Sequence, residues 1–518
     1  MTHPPHAAHP NLPPHAAPDS LLALHHAFVS GQRSARDLAL DALARADALN
    51  PRLNALVDTL RDDALRQADA LDARRARNEP LGSLAGVPLI IKDNLCLAWG
   101  RTTCASRFLE TYRSPFTATS VQRLLDADAI IIAKANLDEF AMGGSGEHSA
   151  LGPTRNPWDL ARVPGGSSSG SAAVVAAGIV PGALGSDTGG SIRQPAAFCG
   201  LLGIKPTYGR VSRRGLVAFA SSLDQVGPLA RSTHDLAALL APLCAHDPLD
   251  STSLDIAPEP FASELDTPIP DLVLGLPRQA RNPANHPSVT LALDQTLEIF
   301  RRLGAKIVDI DLPNADHAIA AYYIIATAEA SSNLARFDGV RYGRRAAPRP
   351  TDPPADALFN LYARSRAEGF GPEVQRRIML GTHVLSSGYY DAYYLTALKV
   401  RRLIKQDYDR AFAQGCHAVL MPTAPSPAFR VGEKVGDPMA LYLEDLYTVG
   451  VNLAGLPALA FPAGFATIDS APLPVGLQLI GPPLAERALL RIARAHERAT
   501  DWHTRRAPIA HPVADPVA

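Results

Sequence analysis

The sequence has almost no net charge, little lysine, no clustered cysteine and no long apolar run, and each absence removes a class of function. With 50 Lys plus Arg against 51 Asp plus Glu, the 518-residue chain carries a formal charge of −1. No global field is therefore available to hold nucleic acid or an anionic membrane; if RNA takes part in the function, another chain grips it. The five cysteines (Cys96, Cys104, Cys199, Cys244, Cys416) are an odd, scattered set without a C-x-x-C pair. They outline neither a disulfide framework nor a zinc knuckle, and they fit a reducing, cytoplasmic setting. No apolar stretch approaches the roughly 20 residues that span a bilayer. No Gly-Lys-Ser/Thr closes a glycine-rich loop, so there is no Walker A element and no ATP site in this chain.

What is present is ordinary for a globular enzyme: 47% hydrophobic and 19% charged residues. Residues 1–19, rich in Pro, His and Ala, lack the Lys/Arg start and apolar core of a secretory signal and read as a disordered leader. Residues 505–518 read as a flexible tail. Between them, 20–504 read as one domain. Ser34-Ala35-Arg36-Asp37 is a capping box opening a helix that ends before Pro51, and a second helix is expected over 57–77. Short apolar runs at 89–91, 129–133, 305–308, 418–421, 458–461 and 475–480 read as buried strands. Strands scattered through a helix-rich chain predict the α/β class: a single large domain with a mixed central β-sheet covered by helices on both faces. The Pro-rich stretch 343–356 is expected to be a mobile surface loop.

Three constellations carry chemistry. Gly185-Ser186-Asp187-Thr188-Gly189-Gly190-Ser191-Ile192-Arg193 follows an apolar segment and precedes a helix-like one. Its backbone amides can converge on one point and, with a helix N-terminus behind them, suit a developing oxyanion. The same residues could be an ordinary strand-to-helix turn with a capping serine. Gly165-Gly166-Ser167-Ser168-Ser169-Gly170-Ser171 offers several hydroxyls in a small-residue loop; these could be turn and cap groups only. A G-x-S-x-G elbow centred on Ser168 is disfavoured, because the preceding segment is polar and ends in Pro164. The third is Lys92, at the end of an apolar strand. Of the 50 basic residues only seven are lysines, so a lysine kept here points to a group that must lose its proton. Burial can lower a lysine pKa by ~3–5 units, enough to make it a base. Lys134 and Lys205 also follow apolar stretches and are alternatives. None of the 16 histidines, His148 and His234 included, sits in an acid–His–nucleophile context, and a Ser–Lys arrangement needs none.

Taken together, Lys92, the Gly-Gly-Ser-Ser-x-Gly-Ser loop and Asp-Thr-Gly-Gly-Ser-Ile-Arg resemble the amidase signature family. The resemblance implies that Lys92 deprotonates Ser167, which relays the proton to and from the nucleophile Ser191. It also implies a cis peptide at Gly166–Ser167, an oxyanion hole built from the amides of Thr188, Gly189, Gly190 and Ser191, and a loop-holding pair in Asp187 and Arg193. The signature core spans about 80–235.

The segments around Tyr322–Gly339, Gly369–Ile378 and Ser386–Tyr394 are similar to one branch, the A subunits of bacterial glutamyl-tRNA(Gln)/aspartyl-tRNA(Asn) amidotransferases. That branch implies glutamine as substrate, gripped by Tyr322, Arg377 and Asp445; an arginine can pair with the α-carboxylate and an aspartate with the α-ammonium. It also implies a heterotrimer with a tRNA-binding B subunit, which holds the misacylated tRNA and uses ATP and Mg, and a small C subunit. No metal or cofactor is expected in this chain. Ser169, where the family often has glycine, is a departure that leaves Ser167 untouched. The alternatives are a stand-alone amidase acting on small amides and a non-enzymatic scaffold that kept the fold.

Overall fold

A computed structural model describes residues 16–350 and 353–510. The leader residues 1–15, residues 351–352 of the Pro-rich stretch and the terminal 511–518 lie outside the described residues. Eleven strands form one sheet among the described residues: β1 (Leu56–Thr59), β2 (Pro88–Lys92), β3 (Ile130–Ala135), β4 (Gly182–Asp187), β5 (Leu202–Lys205), β6 (Gln225–Ala230), β7 (Val273–Pro277), β8 (Lys306–Ile310), β9 (Ala418–Pro422), β10 (Ala458–Ile468) and β11 (Ala471–Ile480). Their order is β1-β3-β2-β4-β6-β5-β10-β11-β9-β7-β8. β2 runs parallel to both β3 and β4, and β7 to both β8 and β9, while the remaining pairs are antiparallel. The sheet is mixed, as expected.

Strand periodicity of two explains why the central strands read as unbroken apolar runs: both faces are covered. Leu89 and Ile91 enter one core cluster and Ile90 the other; Ile131 enters the first, Ile130 and Ile132 the second. The helix Ser169–Ala176 is buried along its whole length, which requires its run of serine, glycine, alanine and valine. No helix among the described residues is long and apolar enough to cross a membrane.

Local expectations need four corrections. The helix capped by Ser34, whose hydroxyl accepts the Asp37 amide, runs through Pro51 to Leu53. It tolerates proline because Pro51 sits in its last turn, which Asn54 closes by donating its amide to Asn50 O at 2.8 Å. The helix expected over 57–77 starts at Arg61, because Leu56–Thr59 pairs antiparallel with β3 as an edge strand. The late runs at 458–461 and 475–480 are parts of one long hairpin, turned by Asp469 and Ser470, both at positive φ (51° and 67°). Residues 505–510, expected as tail, pack back onto the domain: Ala507 and Ile509 are buried in the second core cluster.

Candidate active site

Parallel pairing decides where the chemistry gathers. β2 and β4 lie side by side in register, Ile90 opposite Ala183 and Ile91 opposite Leu184, so their C-terminal ends meet. Lys92 thereby comes to the same point as the turn after β4, the place where open α/β sheets build sites. The Lys92 side chain is fully buried. Its Nζ lies 2.8 Å from Ser167 Oγ, 3.0 Å from Ser168 Oγ, 3.0 Å from Ser186 Oγ and 3.3 Å from Ser186 O. Burial lowers its pKa from 10.5 to about 7, against the opposing pull of Asp138, Asp187 and Asp224. A neutral amine fits these neighbours: two N–H groups donate, and one lone pair accepts a hydroxyl proton.

The two serine loops are stitched together by the Ser168 amide donating to the Ser191 carbonyl at 3.1 Å. Ser167 is fully buried, whereas Ser191 keeps 8% exposure. Of these two serine residues, only Ser191 keeps any contact with solvent. The Gly166–Ser167 peptide is cis. Gly166 donates its amide to Gln194 Oε1 at 2.9 Å, and a Cβ on it would come within 2.0 Å of Asp138 Oδ2; no other residue fits there. Asp138 in turn accepts the amides of Gly146 and His148, both at 3.0 Å.

The turn after β4 is organised around one buried carboxylate. Asp187 accepts the Gly190 amide (2.9 Å), the Ile192 amide (3.1 Å), two guanidinium nitrogens of Arg193 (3.0 and 3.1 Å) and Asn452 Nδ2 (2.9 Å). Burial alone would raise its pKa, but Arg193 holds the carboxyl well below its ordinary range. Arg193 is fully buried and bonds onward to Asn452 Oδ1 (2.5 Å), Gln478 Oε1 (2.9 Å) and Thr448 O (3.2 Å). One expectation changes here: the Gly190 amide, counted toward the oxyanion hole, is taken by Asp187. Among the described residues the amides of Thr188, Gly189 and Ser191 have no protein acceptor, and these are the free donors of the turn.

Tyr322, Arg377 and Asp445 come together beside it. A Cβ on Gly189 would come within 2.5 Å of the Tyr322 hydroxyl, so this phenol lies directly on the glycine turn. Arg377, buried, donates Nε to Glu373 Oε1 at 2.7 Å and lies over the rings of Tyr323, Phe219 and Tyr442 at 5.3, 5.5 and 5.5 Å. Asp445 accepts the Tyr323 hydroxyl at 3.0 Å. Burial raises its pKa to about 7, with the Tyr323 hydrogen bond and Arg377 opposing.

The alternatives fall away on geometry. Lys134 Nζ pairs with buried Asp93 at 2.9 Å and with the carbonyls of Leu95 and Arg101. Lys205 donates to the carbonyls of Pro206 and Leu456 and to Gln225 Oε1, and its bonds reach no serine. His234 faces Asp266 at 3.6 Å. Sequence reasoning missed Ser186, Tyr323, Glu373 and Tyr442. Glu373 carried a signal, the i,i+4 spacing to Arg377, and Ser186 sits inside the motif; Tyr442 had none.

At the edge where parallel strands end, a buried lysine thus contacts Ser167 and Ser168 of the glycine loop, and that loop is tied through the Ser168 amide to Ser191 in the turn after β4. The family model described as Amidase matches residues 37–490. The chain is 52% identical over 490 residues to the A subunit of glutamyl-tRNA(Gln) amidotransferase from Synechococcus sp. (strain JA-3-3Ab), covering 95% of this chain and 94% of that one. It is 53% identical over 462 residues to the protein of the same name from Moorella thermoacetica, covering 89% and 92%. The crystal structure of the A subunit of glutamyl-tRNA(Gln) amidotransferase from Thermotoga maritima matches with a TM-score of 0.73 and 42% identity, over 90% of this chain and 91% of that one. The chain belongs to the amidase family, in the branch formed by the A subunits of glutamyl-tRNA(Gln) amidotransferases.

Proposed function

We propose that this chain is the glutaminase subunit of a tRNA-dependent amidotransferase, with Lys92, Ser167 and Ser191 as its catalytic residues. The observation that carries it is the fully buried Lys92 Nζ at 2.8 Å from Ser167 Oγ. Neutral Lys92 takes the Ser167 proton as Ser167 takes that of Ser191, and Ser191 Oγ attacks the side-chain amide carbon of glutamine. Negative charge gathers on the amide oxygen, where the free amides of Thr188, Gly189 and Ser191 can meet it; one such donor is typically worth ~2.7–4 kcal/mol. Ser167 returns a proton to the departing nitrogen and ammonia leaves. Water, activated by the same relay, then hydrolyses the glutamyl ester to glutamate and frees Ser191.

Substrate selection follows from charge. Arg377 meets the α-carboxylate, Asp445 the α-ammonium, and the Tyr322 phenol lies against the turn that holds the reacting carbonyl. In the cytoplasm, ammonia passes to the tRNA-binding B subunit of a heterotrimer braced by the small C subunit. The tRNA-binding partner holds the misacylated tRNA and activates its glutamyl or aspartyl carboxylate with ATP and Mg. The near-zero charge of this chain supports that division, since it offers no field for tRNA.

The test uses the assembled complex. Ser191→Ala and Lys92→Ala each abolish glutamine-dependent amidation while ammonium chloride still supports it. Loss of the ammonium-supported reaction in a folded complex would refute the division of labour.

A further inference from the structure

Arg377 and Asp445 are joined by a chain of contacts through Glu373, Tyr442 and Tyr323. The Glu373 side chain is buried, with 3% exposure. Its Oε1 accepts both Arg377 Nε, at 2.7 Å, and the Tyr442 hydroxyl, at 2.8 Å, and its Oε2 pairs with Arg376. Tyr442 stacks on Tyr323 with ring centroids 4.0 Å apart and planes 22° apart. Tyr323 donates its hydroxyl to Asp445. Glu373 is thus tied to Arg377 directly and to Asp445 through two stacked rings.

The use made of Arg377 is uneven. Its Nε is committed to Glu373, and three aromatic rings surround the guanidinium. Among the described residues its two terminal nitrogens have no acceptor. A guanidinium held by Nε and left open at both Nη atoms presents the fork that pairs bidentately with a carboxylate. The long, flexible side chain would otherwise have to be ordered by the substrate, at the expense of affinity.

Resting on the assignment of Arg377 and Asp445 to glutamine, we propose that Glu373 is a positioning residue. Together with Tyr442 and Tyr323, it sets the separation between the carboxylate-binding guanidinium and the ammonium-binding carboxylate, and so makes the site selective for a free α-amino acid amide. Glu373 takes no part in proton transfer and touches neither Ser191 nor Lys92. Its removal is expected to act on KM and to spare the chemical step.

The experiment measures glutaminase kinetics of the complex with three amides: glutamine, glutaramate (carboxylate and amide, no ammonium) and 4-aminobutanamide (ammonium and amide, no carboxylate), the latter two as competitors. Glu373→Gln raises KM for glutamine at least tenfold with kcat changed less than twofold. It weakens glutaramate by a similar factor and leaves 4-aminobutanamide inhibition unchanged. Tyr442→Phe, which removes one hydroxyl and keeps the ring stack, gives the same pattern at about threefold and serves if Glu373→Gln misfolds. A uniform loss across all three amides, or a fall in kcat with KM unchanged, would mean a merely structural role and overturn the proposal. If Arg377→Ala raises the glutamine KM and Glu373→Gln does not, the brace alone fails. If Arg377→Ala leaves that KM unchanged, the glutamine assignment fails first.

Discussion

Lys92 gives the sharpest test, because its role requires an uncharged amine at neutral pH. In water the ammonium would hold its proton up to 10.5; burial brings that to about 7. The difference corresponds to roughly 5 kcal/mol by which the site disfavours the charged form. The direction follows from the chemistry: protonated Lys92 has no lone pair to accept the Ser167 proton, so activity is lost as pH falls through about 7 and is level above it. At pH 6 about a tenth of the amine is neutral, and kcat should drop by about that factor; with an unshifted lysine only about one molecule in 3,000 would be active at pH 7. The assay is ammonia release at saturating glutamine from pH 5.5 to 9, on the complex, with a thermal melt at each pH to exclude unfolding. Lys92→Arg keeps positive charge and reach but cannot deprotonate, and should be inactive at every pH. A flat kcat profile between pH 5.5 and 8, or more than a few per cent of activity in Lys92→Arg, would refute the argument.

Two further outcomes follow from buried charge. Asp445, raised to about 7 by burial, must be ionised to pair with the substrate ammonium; KM for glutamine should rise about tenfold per pH unit below 7, and Asp445→Asn should remove that dependence. Arg193→Met leaves the fully buried Asp187 without its guanidinium partner, a change expected to cost about 3–5 kcal/mol of stability. It should be read as a lowered melting midpoint, with the loss of glutaminase activity following from the collapse of the turn.

Much of the core was legible because strands buried on both faces leave an unbroken apolar run: residues 89–91 and 129–133 each announced a strand that the structure contains. The edge strand Leu56–Thr59 was not legible. It has four residues, only Leu56 is buried, and its pattern merges with the helix that follows. The long hairpin of β10 and β11 was seen only at its inner ends, since its outer half carries exposed Thr467 and Pro472 among its apolar residues.

By itself, the sequence determined the ingredients of the chemistry: a lysine retained in an arginine-rich chain at the end of one apolar strand, two serines in glycine loops, and a second apolar strand leading into the turn that carries Ser191. Those are properties of neighbouring residues and of composition. Only the tertiary structure decided which backbone amides stay free, because the Gly190 amide is claimed by a carboxylate whose own guanidinium partner is fixed by Gln478, 285 residues away. It also decided that Glu373 and Tyr442, 69 residues apart, share one hydrogen-bonded oxygen with Arg377. A buried polar group must find a partner wherever the fold supplies one, and that choice is made between segments whose separation in the chain leaves no local trace.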